Sequence, residues 1–138
     1  MVDAGYSGTP LIRKLGFTGA QPAVVINPPR PYAELLGEEV DIAVQDSNAI
    51  IPGGCLYLHL FTTFRAEMEA VLIAARHRLT PNGTIWMSWP KKASKVPTDI
   101  TEDTIREVCL PLGYVDVKVC AVDEVWSGLK LVIRKELR

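Results

Sequence analysis

Between Cys55 and Trp89 the chain reads as an apolar run, a helical-period segment and a second apolar run, in that order. Cys55 to Phe61 is the length of a buried strand. In Arg65 to Leu79, Met68, Val71, Leu72, Ala75 and Leu79 recur at the spacing of one helix face. Pro81-Asn82-Gly83 reads as the stop of that helix, and Thr84 to Trp89 as the next strand. Two strands separated by a helix long enough to recross the sheet run parallel. This one unit restricts the chain to architectures with a parallel sheet and helices packed on its faces.

The alternation extends both ways. Thr9 caps a first helix, with Pro10 at its first position and Gly16 after its end. Gly5 to Gly8, upstream, reads as loop. Ala23 to Ile26 is a short buried strand ended by Asn27-Pro28-Pro29. Tyr32 to Leu36 makes one or two helical turns stopped by Gly37, and Val40 to Val44 is a second short strand. Asp46 to Gly54 is a loop, short for a parallel crossover and without helical pattern. Asp99 or Thr101 caps a helix with the stripe Ile105, Val108, Cys109 and Leu112, ended by Pro111 and Gly113. Val115, Val117, Val119 and Ala121 alternate with Asp116, Lys118 and Cys120; Leu129, Leu131 and Ile133 alternate with Lys130 and Arg134. Asp123 to Gly128 joins these strands and is short enough for an antiparallel pair. The expected fold is a three-layer, Rossmann-like α/β domain. Its sheet is mostly parallel, with one antiparallel strand from the C-terminal hairpin, and residues 1–138 form a single domain.

Composition narrows the function classes. With 48% hydrophobic and 22% charged residues the chain is an ordinary globular one. A formal net charge of -1 argues against a nucleic-acid binder that relies on bulk positive charge. No apolar run has membrane-spanning length, and the N-terminus lacks a basic-then-apolar signal, so the expected compartment is the cytoplasm. Cys55, Cys109 and Cys120 are odd in number and contain no C-x-x-C. With only His59 and His77 beside them no standard zinc spacing exists, so reduced structural thiols and no metal are expected.

In open α/β sheets ligands bind outside the carboxyl ends of the parallel strands. Those ends deliver Asn27, Asp46, Thr62, Thr63 and Arg65, then Trp89 with Lys91 and Lys92, then Asp123, Glu124 and Trp126. The opposite edge receives Pro81-Asn82-Gly83 and Gly113-Tyr114, which are plain turn chemistry. The candidate ligand-binding set is therefore Asn27, Arg65, Lys91, Lys92, Lys95, Asp123, Glu124, Trp126 and Lys130. Lys91, Lys92 and Lys95 can receive an anion, or form a solvated loop. One of Asp123 and Glu124 is expected to pair with Lys91, Lys92 or Lys130. Trp126 serves as a stacking platform or as a core lid, with the lid preferred. His59, alternating with Tyr57 and Phe61, reads as a packed histidine. Ser88 lacks a G-x-S-x-G elbow and is no candidate nucleophile. No catalytic residue is assigned.

Ile26-Asn27-Pro28-Pro29 resembles the Asn-Pro-Pro-aromatic motif of amino-methyltransferases, but Arg30 occupies the aromatic position and Tyr32 comes two residues late. A dinucleotide or S-adenosylmethionine loop uses glycines for close backbone approach. Pro28, Pro29 and Pro31 supply no N–H there, so neither cofactor is expected to bind. Phe61 to Pro90, with the hairpin after it, resembles the later half of class I methyltransferase folds. GYSGTPL and KLG (residues 5–16), SWPKKAS and PTD (88–99) and VCAVDE with WSGLKLV and Arg134 (119–134) resemble a family of small uncharacterised bacterial proteins; that resemblance implies a bacterial cytoplasmic domain and no particular reaction. The expected function is a binding or interaction domain lacking a nucleotide-cofactor loop, with a small anionic ligand or a protein as partner. The alternative is an enzyme, or a degenerate methyltransferase-like protein, that handles a small anionic ligand at the carboxyl edge.

Overall fold

A computed structural model describes residues 9–138; Gly5 to Gly8 therefore lies outside the described residues. Six strands form one sheet: β1 (Ala23–Ile26), β2 (Ala43–Gln45), β3 (Cys55–Phe61), β4 (Leu79–Pro90), β5 (Tyr114–Ala121) and β6 (Trp126–Ile133). Their order across the sheet is β2-β1-β3-β4-β6-β5. Pairings β1–β2, β1–β3 and β3–β4 are parallel, and β6 runs antiparallel to both β4 and β5. The mostly parallel sheet with one antiparallel strand is thus the architecture expected.

Helices cover both faces. The sides are α1 (Leu11–Leu15) and α2 (Tyr32–Leu36) on one, α3 (Arg65–Arg76) and α4 (Glu102–Cys109) on the other. Alternation along the strands sorts the core accordingly. Val25, Tyr57, Phe61 and Trp86 pack with Leu15, Tyr32 and Leu36. Val24, Leu58, Leu60, Ile85 and Met87 pack with Met68, Leu72, Ile105 and Val108. Two polar anchors cross these layers: Trp86 Nε1 donates to Leu15 O at 2.7 Å, and Tyr114 Oη donates to Leu72 O at 2.7 Å.

Several local expectations are corrected. Pro10 stands at the N-cap of α1, so the helix begins at Leu11, and Gly16 closes it at φ 68°. The second strand is not Val40 to Val44 but Ala43–Gln45. Pairing there is fixed by β1, from Val24↔Ala43 to Ile26↔Gln45, while Val40 and Ile42 leave the ladder to pack on the α1–α2 side. Helix α3 stops at Arg76 rather than Leu79. Leu79 already pairs with Cys55 as the first residue of β4. Its burial suits a helix face and a strand equally, so periodicity could not separate the two. Pro81-Asn82-Gly83 lies inside β4 as a bulge: the register passes from Cys55↔Leu79 to Tyr57↔Thr84, with extra residues on β4. Gly83 is needed there, because a Cβ would stand 2.6 Å from Leu79 Cγ and 3.0 Å from Cys55 O.

On β5 the alternating valines do not form a buried face. Val117 and Val119 are about half exposed, and Tyr114 and Cys120 are the buried residues. A register shift between Asp116 and Lys118 breaks the alternation, and β5 is an edge strand. The hairpin's connection is shorter than expected, since β6 already begins at Trp126. Asp46 to Gly54 does recross the sheet without a helix, carrying the chain from β2 past β1 to β3 and burying Ile51 on the α3–α4 side.

Candidate functional site at the carboxyl edge

The sheet order reverses between β1 and β3, so the crevice of this architecture lies over their carboxyl ends. Side chains of the loops bridge that region. On the α3 side, the Ser47 hydroxyl donates to Glu67 Oε2 at 2.6 Å and the Thr62 hydroxyl donates to Glu67 Oε1. This ties the crossover after β2 to the start of α3. Thr62 also accepts from Phe64 N at 3.1 Å, which shapes the turn into the helix. Asp99 reaches from the next loop, and its Oδ1 accepts from Arg65 N at 2.7 Å. The cap of α4 is Thr101, whose side chain accepts from Thr104 N. Asp99 instead caps α3, a helix whose own N-cap residue, Phe64, has no side chain able to do so.

On the α2 side, Asp123 Oδ1 accepts from Val125 N at 2.8 Å and Trp126 N at 2.7 Å, which folds the hairpin turn. Its other oxygen faces Arg30 at 3.6 Å. The expected lysine partner is therefore corrected to Arg30, a residue outside the candidate set. Glu124 is exposed. Trp126 sets its ring edgewise on Phe61, centroids 5.3 Å apart, and is only partly buried, so it works as a lid with an open side.

Lys91 and the hairpin do leave the same edge. Lys91 N donates to Val125 O at 2.8 Å, and Pro90 pairs with Trp126. A 3-10 turn at Lys92–Ser94 follows, and Lys95 takes a left-handed conformation at φ 62°. No described carboxylate lies within 4.0 Å of Lys91, Lys92 or Lys95. Lys130 is not at this edge: it sits in mid-strand opposite Trp86 and Lys118. Arg65 points along the α3–α4 side, 3.4 Å from Glu107. Asn27 is at the edge in a left-handed conformation, φ 56°, and its amide is engaged by Gln45 O at 3.1 Å.

Beneath the edge runs a buried polar chain. Tyr57 Oη and Tyr32 Oη are 2.6 Å apart, Tyr32 Oη lies 2.6 Å from His59 Nδ1, and His59 Nε2 lies 2.7 Å from Ser88 Oγ. His59 stacks on Phe61 at 4.2 Å. Complete burial lowers the His59 pKa to about 3, so the ring is neutral at physiological pH. Burial likewise raises Tyr32 and Tyr57. His59 and Ser88 have the spacing of a base and a hydroxyl, but neither has any exposed surface. In this arrangement the chain satisfies core polar groups. Sequence reasoning placed His59 in the core but missed its partners, because Tyr32 and Ser88 come from separate elements. The described cysteines are buried and free, with burial raising all three thiols, Cys109 to about 11.

No family model matches the chain, and no curated protein matches it. Solved structures do. The glycopeptide N-methyltransferase MtfA complexed with sinefungin aligns over 96% of this chain and 87% of its own, at 10% identity and a TM-score of 0.61. A SAM-dependent methyltransferase from Aquifex aeolicus aligns over 89% of this chain and 87% of its own, at 14% identity and a TM-score of 0.66. At such identities the likeness defines the fold: a class I methyltransferase-like, Rossmann-like sheet. The likeness covers 96% and 89% of this chain, more than the part that resembles the later half of such folds in sequence. Among the described residues no helix is long and apolar enough to cross a membrane, and no three His, Cys, Asp or Glu are grouped to hold a metal ion.

Proposed function

We propose that the chain is a single methyltransferase-like domain that binds a small anionic ligand at its carboxyl edge and does not take up S-adenosylmethionine. The observation that carries this reading is the loop after β1. Pro28, Pro29 and Pro31 have no amide N–H to donate, and Asn27 N is engaged by Gln45 O. A loop of this kind does not fit a cofactor that needs close backbone approach and free amides. At the same edge Asp46, Glu67, Asp99 and Asp123 each accept hydrogen bonds from the protein. Lys91, Lys92 and Lys95 have no described carboxylate beside them, which supports an anion from outside as their partner.

The test is thermal unfolding with and without inorganic phosphate, comparing the parent with Lys91→Ala/Lys92→Ala. Binding to the native state raises the midpoint. The parent should gain stability from phosphate and the variant should not. Equal responses of the two proteins would remove the anion reading.

A further inference from the structure

We propose that Arg30, Lys91 and Trp126 form a receptor for a flat aromatic carboxylate, and that Asp123 is the internal anion such a ligand displaces from Arg30. This rests on the reading of the edge as an anion site and names the class of ligand. Arg30 is held near a carboxylate without being bonded to it. The 3.6 Å separation from Asp123 exceeds the roughly 2.7–2.9 Å of a charge-assisted hydrogen bond. No described acceptor takes a hydrogen bond from the guanidinium, whose side chain is 44% exposed. Its planar fork therefore remains available, and that fork matches the two oxygens of a carboxylate. Asp123 does not lose its structural task when Arg30 leaves, since Oδ1 holds the amides of Val125 and Trp126 while Oδ2 faces Arg30.

The sheet order brings the three groups together. Strands β3 and β4 separate β1, which leads to Arg30, from β6, which begins at Trp126. Arg30 and Asp123 meet over the ends of those strands. Trp126 reaches the same place from the other side, because its ring meets Phe61 at the end of β3. One edge of the indole contact is taken by Phe61, and the rest of the partly exposed ring is left for a flat apolar group. Lys91, whose N–H is tied to the same turn through Val125 O, is the second cation proposed. A phosphate would use the cations alone; an aromatic carboxylate uses the cations and the indole.

Tryptophan fluorescence reads this site, because Trp86 and Trp89 are buried and Trp126 is the partly exposed one. The probe is benzoate, with acetate, benzyl alcohol and phosphate as separate arms. Benzoate should give a saturable change, and acetate and benzyl alcohol at equal concentration should give none. Arg30→Gln should weaken benzoate by about tenfold, the scale of one lost charged hydrogen bond. Asp123→Asn keeps the oxygen that caps the turn and removes the competing charge, so it should tighten benzoate; a purely structural Asp123 would weaken it or do nothing. Both variants should melt cooperatively by circular dichroism, and a Lys91→Ala variant provides a second route if either fails to fold. Unchanged affinity in Arg30→Gln, weaker affinity in Asp123→Asn, or equal responses to acetate and benzoate would overturn the assignment. A response to phosphate without one to benzoate would defeat the ligand class and leave the anion edge standing, whereas silence in every arm would defeat both.

Discussion

Trp86 is both the largest fully buried side chain and a tie between distant parts of the chain, through the bond of its Nε1 to Leu15 O. Trp86→Ala removes a buried aromatic and leaves that carbonyl unpaired. The expected loss is about 3–5 kcal/mol, measured by chemical denaturation; a loss below about 1 kcal/mol would be that of a surface position. His59 gives the second residue-scale prediction. Its folded pKa of about 3 lies below the value of 6.5 for a free imidazole. Protons therefore bind the unfolded chain first, so the contribution of His59 is complete above pH 6.5 and is lost as pH falls toward 3. Between pH 7 and pH 5 this amounts to roughly 2 kcal/mol. Denaturant melts of the parent and of His59→Gln should show a steeper acid loss in the parent; parallel pH profiles would contradict a neutral buried imidazole. Burial of Trp86 was legible from its place in an apolar strand, and that of His59 from its alternation with Tyr57 and Phe61. The partners of His59 and the approach of Arg30 to Asp123 were not, since each joins residues far apart in sequence whose meeting depends on strand order.

At the scale of elements, the best-read segments are those whose ends are chemically marked. Strands β1 and β3 and helix α2 agree with expectation to the residue, bounded by Asn27-Pro28-Pro29, Gly53-Gly54 and Gly37. Pro81-Asn82-Gly83 misled because turn chemistry inside a strand makes a bulge as readily as it ends a helix. Gly83→Ala should cost about 1–3 kcal/mol through crowding against Leu79 and Cys55 O, measured by urea unfolding. A neutral result would mean the bulge relaxes freely. Asp99 is the other element-scale lesson, since the first residue of α3 is capped from a loop more than thirty positions away. Asp99→Ala should cost about 1 kcal/mol, the usual value of a lost cap. Hydrogen exchange should show the loss concentrated at the start of α3, and protection lost only around α4 would return Asp99 to its local role.

For the whole molecule, the parallel sheet followed from the βαβ unit at Cys55 to Trp89, and the antiparallel strand followed from the short link before β6. The same topology brought Lys91 and the hairpin turn to one edge. Two placements did not follow: Lys130 lies in mid-strand, and the partner of Asp123 is Arg30. The sheet is methyltransferase-like and its first loop is built from prolines; we propose that this loop does not take up the cofactor. The most direct test is isothermal titration of the purified protein with S-adenosylmethionine. No saturable heat is expected, and binding in the micromolar range would contradict the claim.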